Sequence, residues 1–210
     1  MVSIRMMLNM NKKMKTSLFD YNLPHELIAQ KPAVPRDSSR LLVFDRKTKQ
    51  ITHTFFKDII NYLLPNDVLV FNQSKVFPAR LKMTKPTGGE VEIFLLKELP
   101  ASKWECMIGG RLPKEYKEIK LSFKNIFSAK IIKKNTDGTW QVMFDKSKIE
   151  LDKLISKYGQ TPLPPYIKTI DSKQIRNQYQ TVYAKNSGSV AAPTAGLHFT
   201  KNILKCLNKK

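Results

Sequence analysis

The sequence is poor in cysteine, in glycine and in acidic side chains, and each shortage excludes a class of protein. Only Cys106 and Cys206 occur in 210 residues, too few and too far apart for a disulfide-stapled scaffold. With no secretory leader recognisable, they point to a reducing, cytoplasmic setting. The eight glycines match neither a P-loop nor a dinucleotide-binding fingerprint. His25, His53 and His198 are scattered, with no Cys-x-x-Cys and no histidine pair at helical spacing, so no metal site is expected. Long apolar runs are also missing. Residues 68–71 and 93–96 are about the longest, against the roughly 18 residues of a membrane-crossing helix, and no membrane association is expected. No internal repeat is visible.

Acid is the scarcest resource relative to its counterpart. Seventeen Asp and Glu face 37 Lys and Arg, a formal charge of +20. Such a balance favours polyanions, nucleic acid first, through phosphate neutralisation and counterion release. A plainer reading stands beside it: 30 of the basic residues are Lys, and with twelve Asn this bias also follows from genome base composition. What remains is ordinary globular material, 41% hydrophobic and 26% charged, neither collagen-like nor wholly disordered.

Periodicity divides the chain. Residues 1–16 open with four Met and three basic residues in the first thirteen, which reads as a disordered extension. From 17 to 75 the pattern is mixed: a helical turn or two after Pro24, a short strand at 41–45, helical spacing at 58–64 ended by Pro65, and a buried strand at 67–72. Residues 76–146 differ in kind. Val91, Ile93 and Leu95 alternate with Glu90 and Glu92, as Ile119, Leu121 and Phe123 do with Lys120 and Ser122, and Trp140, Val142 and Phe144 with Gln141 and Met143. The Asn135-to-Gly138 turn precedes the last of these. This is the signature of a small antiparallel barrel.

Helical spacing returns at Ile149, Leu151, Leu154, Ile155 and Tyr158, closed by Gly159. The proline-rich 161–166 segment reads as an extended connector. Asp171 is placed to cap a helix towards Tyr179, and Thr200 to cap a last one carrying Ile203, Leu204 and Leu207. The fold class expected is therefore a mixed α/β domain, discontinuous over 17–75 and 147–210, with an inserted antiparallel β-barrel at 76–146.

Chemistry concentrates at 187–200, SGSVAAPTAGLHFT, where ten of fourteen residues are Gly, Ala, Ser, Thr or Pro. Small side chains admit close backbone approach to a ligand, and His198 stands at the mouth of a helix where an imidazole can titrate near neutral pH. A tightly packed turn with a structural histidine is the competing reading.

The run SVAAPTAGLHFT, with YQTVYAK before it and PLPPYI further back, resembles the S-adenosylmethionine:tRNA ribosyltransferase-isomerase family of queuosine biosynthesis. ELIAQ at 26–30, RDSSRLLV at 36–43, VFNQS with Val76 and PAR at 70–80, and GGEVE at 88–92 extend the likeness. IGGRLP at 108–113 departs from it. The resemblance implies transfer of the ribosyl part of S-adenosylmethionine to 7-aminomethyl-7-deazaguanine at the tRNA wobble position. The sugar is isomerised to an epoxycyclopentane, giving epoxyqueuosine, and adenine and methionine leave. S-adenosylmethionine is then a substrate, no cofactor is needed, and tRNA is the partner of a cytoplasmic monomer.

His198 fits the general base by type. Arg40, Asn72, Arg80, Pro193, Thr194, Gly196 and Leu197 are the implied substrate-binding positions, and 192–199 should line a pocket shared with Arg40 or Asn72. A structural ion pair with Asp37 or Asp45 is the alternative for the two arginines. Tyr166, Tyr179 and Tyr183 are of a type that stacks unpaired bases, but tyrosines at helical spacing more often pack a core, while Glu90 and Glu92 read as a solvated strand face. Family members continue beyond the last helix into strands bearing LHVGxGTF. The resemblance thus implies an N-terminal portion of the enzyme, with Ile203, Leu204 and Leu207 exposed unless something covers them. A catalytically inactive RNA-binding remnant is the alternative function.

Overall fold

The computed structural model describes residues 14–112 and 118–210. Of the extension expected over 1–16, residues 1–13 lie outside the described residues, as does Pro113 of the divergent loop, while Thr16 instead opens a 3₁₀ turn over Thr16–Phe19. Within that range the alternating middle of the sequence closes on itself. Strands β4 (Arg80–Thr84), β5 (Glu90–Leu99), β6 (Lys103–Gly109), β7 (Lys120–Phe123), β8 (Phe127–Lys134) and β9 (Trp140–Phe144) form a closed six-stranded antiparallel barrel in the order β4-β5-β6-β9-β8-β7. Period-2 alternation sends Leu81, Met83, Val91, Ile93, Leu95, Cys106, Leu121, Ala129, Ile131 and Val142 inward, and Lys82, Met107, Lys120 and Met143 outward. Register shifts between Leu95 and Lys97 and between Ile131 and Lys133 supply the bends that closure needs.

Helix α1 (Lys148–Tyr158) seals one side of this core with Leu151 and Ile155. Its start is set by a capping box, in which the Ser147 hydroxyl accepts from the Glu150 N–H while the Glu150 carboxylate accepts from the Ser147 N–H. Gly159 follows its last turn in an extended conformation, and a Cβ there would stand 2.0 Å from the Pro78 carbonyl oxygen. This close approach lets Arg80 and Gln160 exchange two backbone hydrogen bonds and tie helix to barrel.

Both flanks contribute to the second part, so the fold is mixed α/β with an inserted barrel. Strands β1 (Arg40–Phe44) and β2 (Ile51–Phe55) form an antiparallel hairpin, and β3 (Ser74–Val76) pairs in parallel with β10 (Asn186–Ser189). Helices α2 (Lys173–Gln178) and α3 (Lys201–Leu207) complete it, along with 3₁₀ turns at His25–Leu27, Arg36–Ser38, Phe56–Tyr62 and Thr194–His198.

Three expectations are corrected. Residues 67–72 form no strand: Val68 and Val70 are exposed, and the Asn72 side chain accepts from the Ser74 N–H at 2.8 Å, closing a turn before pairing begins at β3. Ser172, not Asp171, caps α2, because the Asp171 carboxylate is taken by Arg176 and by the Thr161 hydroxyl. The apolar face of α3 is not left exposed. Ile203 is 2% exposed in a cluster with Phe56 and Phe199, and Leu204 and Leu207 pack against it with Ile59 and Ile60. Thr200 caps α3 as its residue type suggests.

Candidate functional site

Three segments far apart in sequence are drawn together by side chains that bond backbone. Gln30 donates from Nε2 to the Tyr166 carbonyl at 3.0 Å and accepts the Lys168 N–H at 2.9 Å. One amide thus pairs with the extended connector as a strand neighbour would. Gln180 does the same to β3, donating to the Val76 carbonyl at 2.7 Å and accepting its N–H at 3.0 Å.

Arg36 is the hub. Its guanidinium donates to the carbonyls of Asn177, Gln178, Gln180 and Leu197, closing the C-terminal end of α2 and holding the 194–198 turn beside it. No carboxylate pairs with it among the described residues. Burial lowers its pKa from the ordinary arginine value, yet Arg remains charged at any physiological pH. Arg176 plays the corresponding part on the far side of α2, bonding Asp171 and the carbonyls of Ser156 and Gly159.

Between these segments lies a cleft of about 320 Å³, at the lower end of the roughly 300–1,000 Å³ of small-molecule sites. Ala29, Pro32, Ala33, Leu163, Pro164, Ile167 and Ile175 give it an apolar wall, with Tyr166 and Tyr179 as its aromatic surfaces. Polar groups converge from Gln30, Arg36, Ser39, Thr169, Gln178, Thr194 and His198. None of the described lining residues is acidic.

His198 rests its ring on Phe56, centroids 5.2 Å apart and tilted by 36°. It is half-buried, and among the described residues neither ring nitrogen makes a hydrogen bond. Tyr179 is partly buried at the cleft wall; burial raises its pKa, offset in part by a hydrogen bond from the Ala192 backbone. Tyr183 is a core residue, edge-on to Phe71 at 4.8 Å. Its hydroxyl lies where a Cβ on Gly196 would be, at 2.0 Å. Gly196 therefore serves close packing beneath the turn, and Pro193 precedes the turn as its first flanking residue.

Of the positions singled out in the sequence, Thr194, Leu197 and His198 meet in the cleft. The arginine they share it with is Arg36, rather than Arg40 or Asn72. Arg40 begins β1 on the exposed face, and Asn72 is exposed in its turn. Arg80 lies on the barrel, paired with Glu92 and stacked 4.6 Å from the Phe94 ring centroid, so its ion-pair partner is neither Asp37 nor Asp45. Glu90 is solvated on β5. Sequence reasoning gave no role to Gln30, Arg36 or Gln178 at the cleft, nor to Gln180 beside β3. Arg36 sits inside the quoted RDSSRLLV run, the one signal that marked it.

Comparison with known proteins matches residues 16–210 to the model of the queuosine biosynthesis protein family. The chain belongs to that family. An S-adenosylmethionine:tRNA ribosyltransferase-isomerase of Thermotoga petrophila is 49% identical over 197 residues, covering 94% of this chain and 57% of the relative. One from a Sulfurihydrogenibium species is 46% identical over 200 residues, covering 94% and 58%. The chain thus spans little more than half the length of these relatives. A solved structure of an S-adenosylmethionine tRNA ribosyltransferase from Thermotoga maritima is 36% identical, over 91% of this chain and 54% of that one, with a TM-score of 0.36. Membership in the queuosine biosynthesis family rests on the sequence matches. No helix among the described residues is long and apolar enough to cross a membrane.

Proposed function

We propose that this chain binds S-adenosylmethionine in the cleft beneath His198 and takes part in ribosyl transfer and isomerisation on tRNA carrying 7-aminomethyl-7-deazaguanine at the wobble position. It does so as a cytoplasmic monomer, with S-adenosylmethionine as substrate and no resident cofactor or metal. The observation that carries this reading is the meeting of Thr194, Leu197 and His198 with Arg36 and two tyrosines around one small-molecule-sized cleft. The apolar wall and the Tyr166 and Tyr179 rings suit a nucleoside.

The sulfonium of S-adenosylmethionine acidifies its neighbouring C5′ hydrogens. His198, whose ring nitrogens make no hydrogen bond among the described residues, accepts one of them as general base. Adenine leaves with the electrons of the glycosidic bond and takes up a proton from His198. The aminomethyl nitrogen loses a proton as it bonds to a sugar carbon, and methionine leaves with the electrons of its C5′–S bond as an alkoxide closes the epoxide. Arg36 holds the 194–198 turn so that the imidazole faces the cleft.

The test is adenine release from S-adenosylmethionine in the presence of tRNA bearing the aminomethyl-deazaguanine. Turnover should depend on His198, with His198→Ala lowering the rate by about a hundredfold or more. An unchanged rate in that variant removes His198 as the base. Binding of both substrates without adenine release selects the second reading, an RNA-binding remnant that holds its ligands without turnover.

A further inference from the structure

We propose that the rim of the cleft is a track for RNA phosphates, formed by Lys31, Lys168, Lys173 and Lys201. The proposal rests on the reading of the cleft as the S-adenosylmethionine site and adds where the nucleic acid lies relative to it. Residues 160–210 hold seven lysines and one arginine against one acid, Asp171. That acid is removed from the balance by its bonds to Arg176 and Thr161. The lysines at 168, 173 and 201 are exposed, and none makes an ion pair among the described residues.

Their positions follow from the elements that build the cleft. Lys31 lines it. Lys168 stands between the lining residues Ile167 and Thr169, with its own backbone fixed by Gln30. Lys173 opens α2, whose Ile175 and Gln178 face the cleft. Lys201 opens α3, three residues after His198.

The barrel is different. There Lys130 pairs with Glu118 and Arg80 with Glu92, Lys120 stands beside Asp145, and Lys97 lies opposite Glu105. The balance of basic over acidic residues is thus more one-sided over 160–210 than over the barrel. A small-molecule site has no use for a ring of exposed ammonium groups outside it, and their mutual repulsion opposes folding unless a polyanion covers them. Phosphates positioned on such a rim leave a base of the same strand facing the cleft, as the division between phosphate positioning and base contact requires.

The experiment compares two triple variants of the full chain with equal change of charge: Lys168→Glu/Lys173→Glu/Lys201→Glu on the rim, and Lys120→Glu/Lys133→Glu/Lys134→Glu on the barrel. Thermal melts confirm that each is folded, and an unmodified tRNA transcript is titrated by fluorescence anisotropy across a salt series. The rim variant should bind at least about tenfold more weakly near 100 mM salt, with its log K against log salt slope shallower by about two to three. The barrel variant should stay within about threefold of the parent. Equal losses in both variants, a larger loss in the barrel variant, or a rim variant that loses binding to phosphatidylserine vesicles but not to tRNA would each overturn the proposal. Calorimetry with S-adenosylmethionine separates the two readings. A parent chain that binds no S-adenosylmethionine but shows the rim effect overturns the cleft assignment and leaves the phosphate track standing.

Discussion

Gly196 is the position at which a single methyl group tests the packing under the candidate site. Its hydrogen faces the Tyr183 hydroxyl, and that ring cannot swing away freely because Phe71 holds it edge-on. Gly196→Ala should therefore destabilise the chain by about 1–3 kcal/mol, the usual cost of overpacking. Tyr183→Phe removes the clashing oxygen, so the double variant should recover much of the loss in a thermal melt. If the double variant is no more stable than Gly196→Ala alone, the contact is not the cause. The same residue shows what a sequence conceals. Small residues in 187–200 read equally as ligand approach or as close packing, and the structure gives Thr194 to the cleft and Gly196 to the packing beneath it.

At the scale of elements, the barrel was legible because inward and outward residues alternate so regularly. The strands β2 and β10 were not: ITHTF is largely exposed and NSGS contains no apolar residue, so neither leaves a periodic trace. Gln30, Arg36 and Gln180 escaped for a related reason. They bond to carbonyls and N–H groups that every residue possesses, and such partners leave no mark in sequence. The join between β8 and the end of β9 offers a pH test. Partial burial pushes the Asp145 carboxyl up, but the Ser128 N–H and hydroxyl, with Lys146 and Lys120 beside it, outweigh this and hold it below the ordinary carboxylate range. A depressed carboxylate stabilises the fold above the unfolded-chain pKa of about 3.9, and that contribution is lost as pH falls through the lower folded value. Melting temperature should thus drop below about pH 4 in the parent. The drop should be smaller in Asp145→Asn, which starts from a lower plateau at neutral pH. Parallel acid profiles for the two chains would contradict the assignment.

For the molecule as a whole, two cores share the labour. The barrel with α1 holds most of the buried apolar side chains, while Phe56, Phe199 and Ile203 anchor a smaller cluster beside the cleft. The cleft itself is built where the segments before and after the barrel meet, so every residue that shapes it depends on the chain returning past the insertion. This junction is the proposed binding place of S-adenosylmethionine. Calorimetric titration of S-adenosylmethionine into the chain tests it, with Thr194→Trp as the comparison, since Thr194 is exposed at the cleft wall and a tryptophan there fills the space with little demand on the fold. The parent should bind saturably and Thr194→Trp at least about tenfold more weakly at unchanged melting temperature; a parent that binds nothing, or a tryptophan variant that binds equally well, would overturn the assignment.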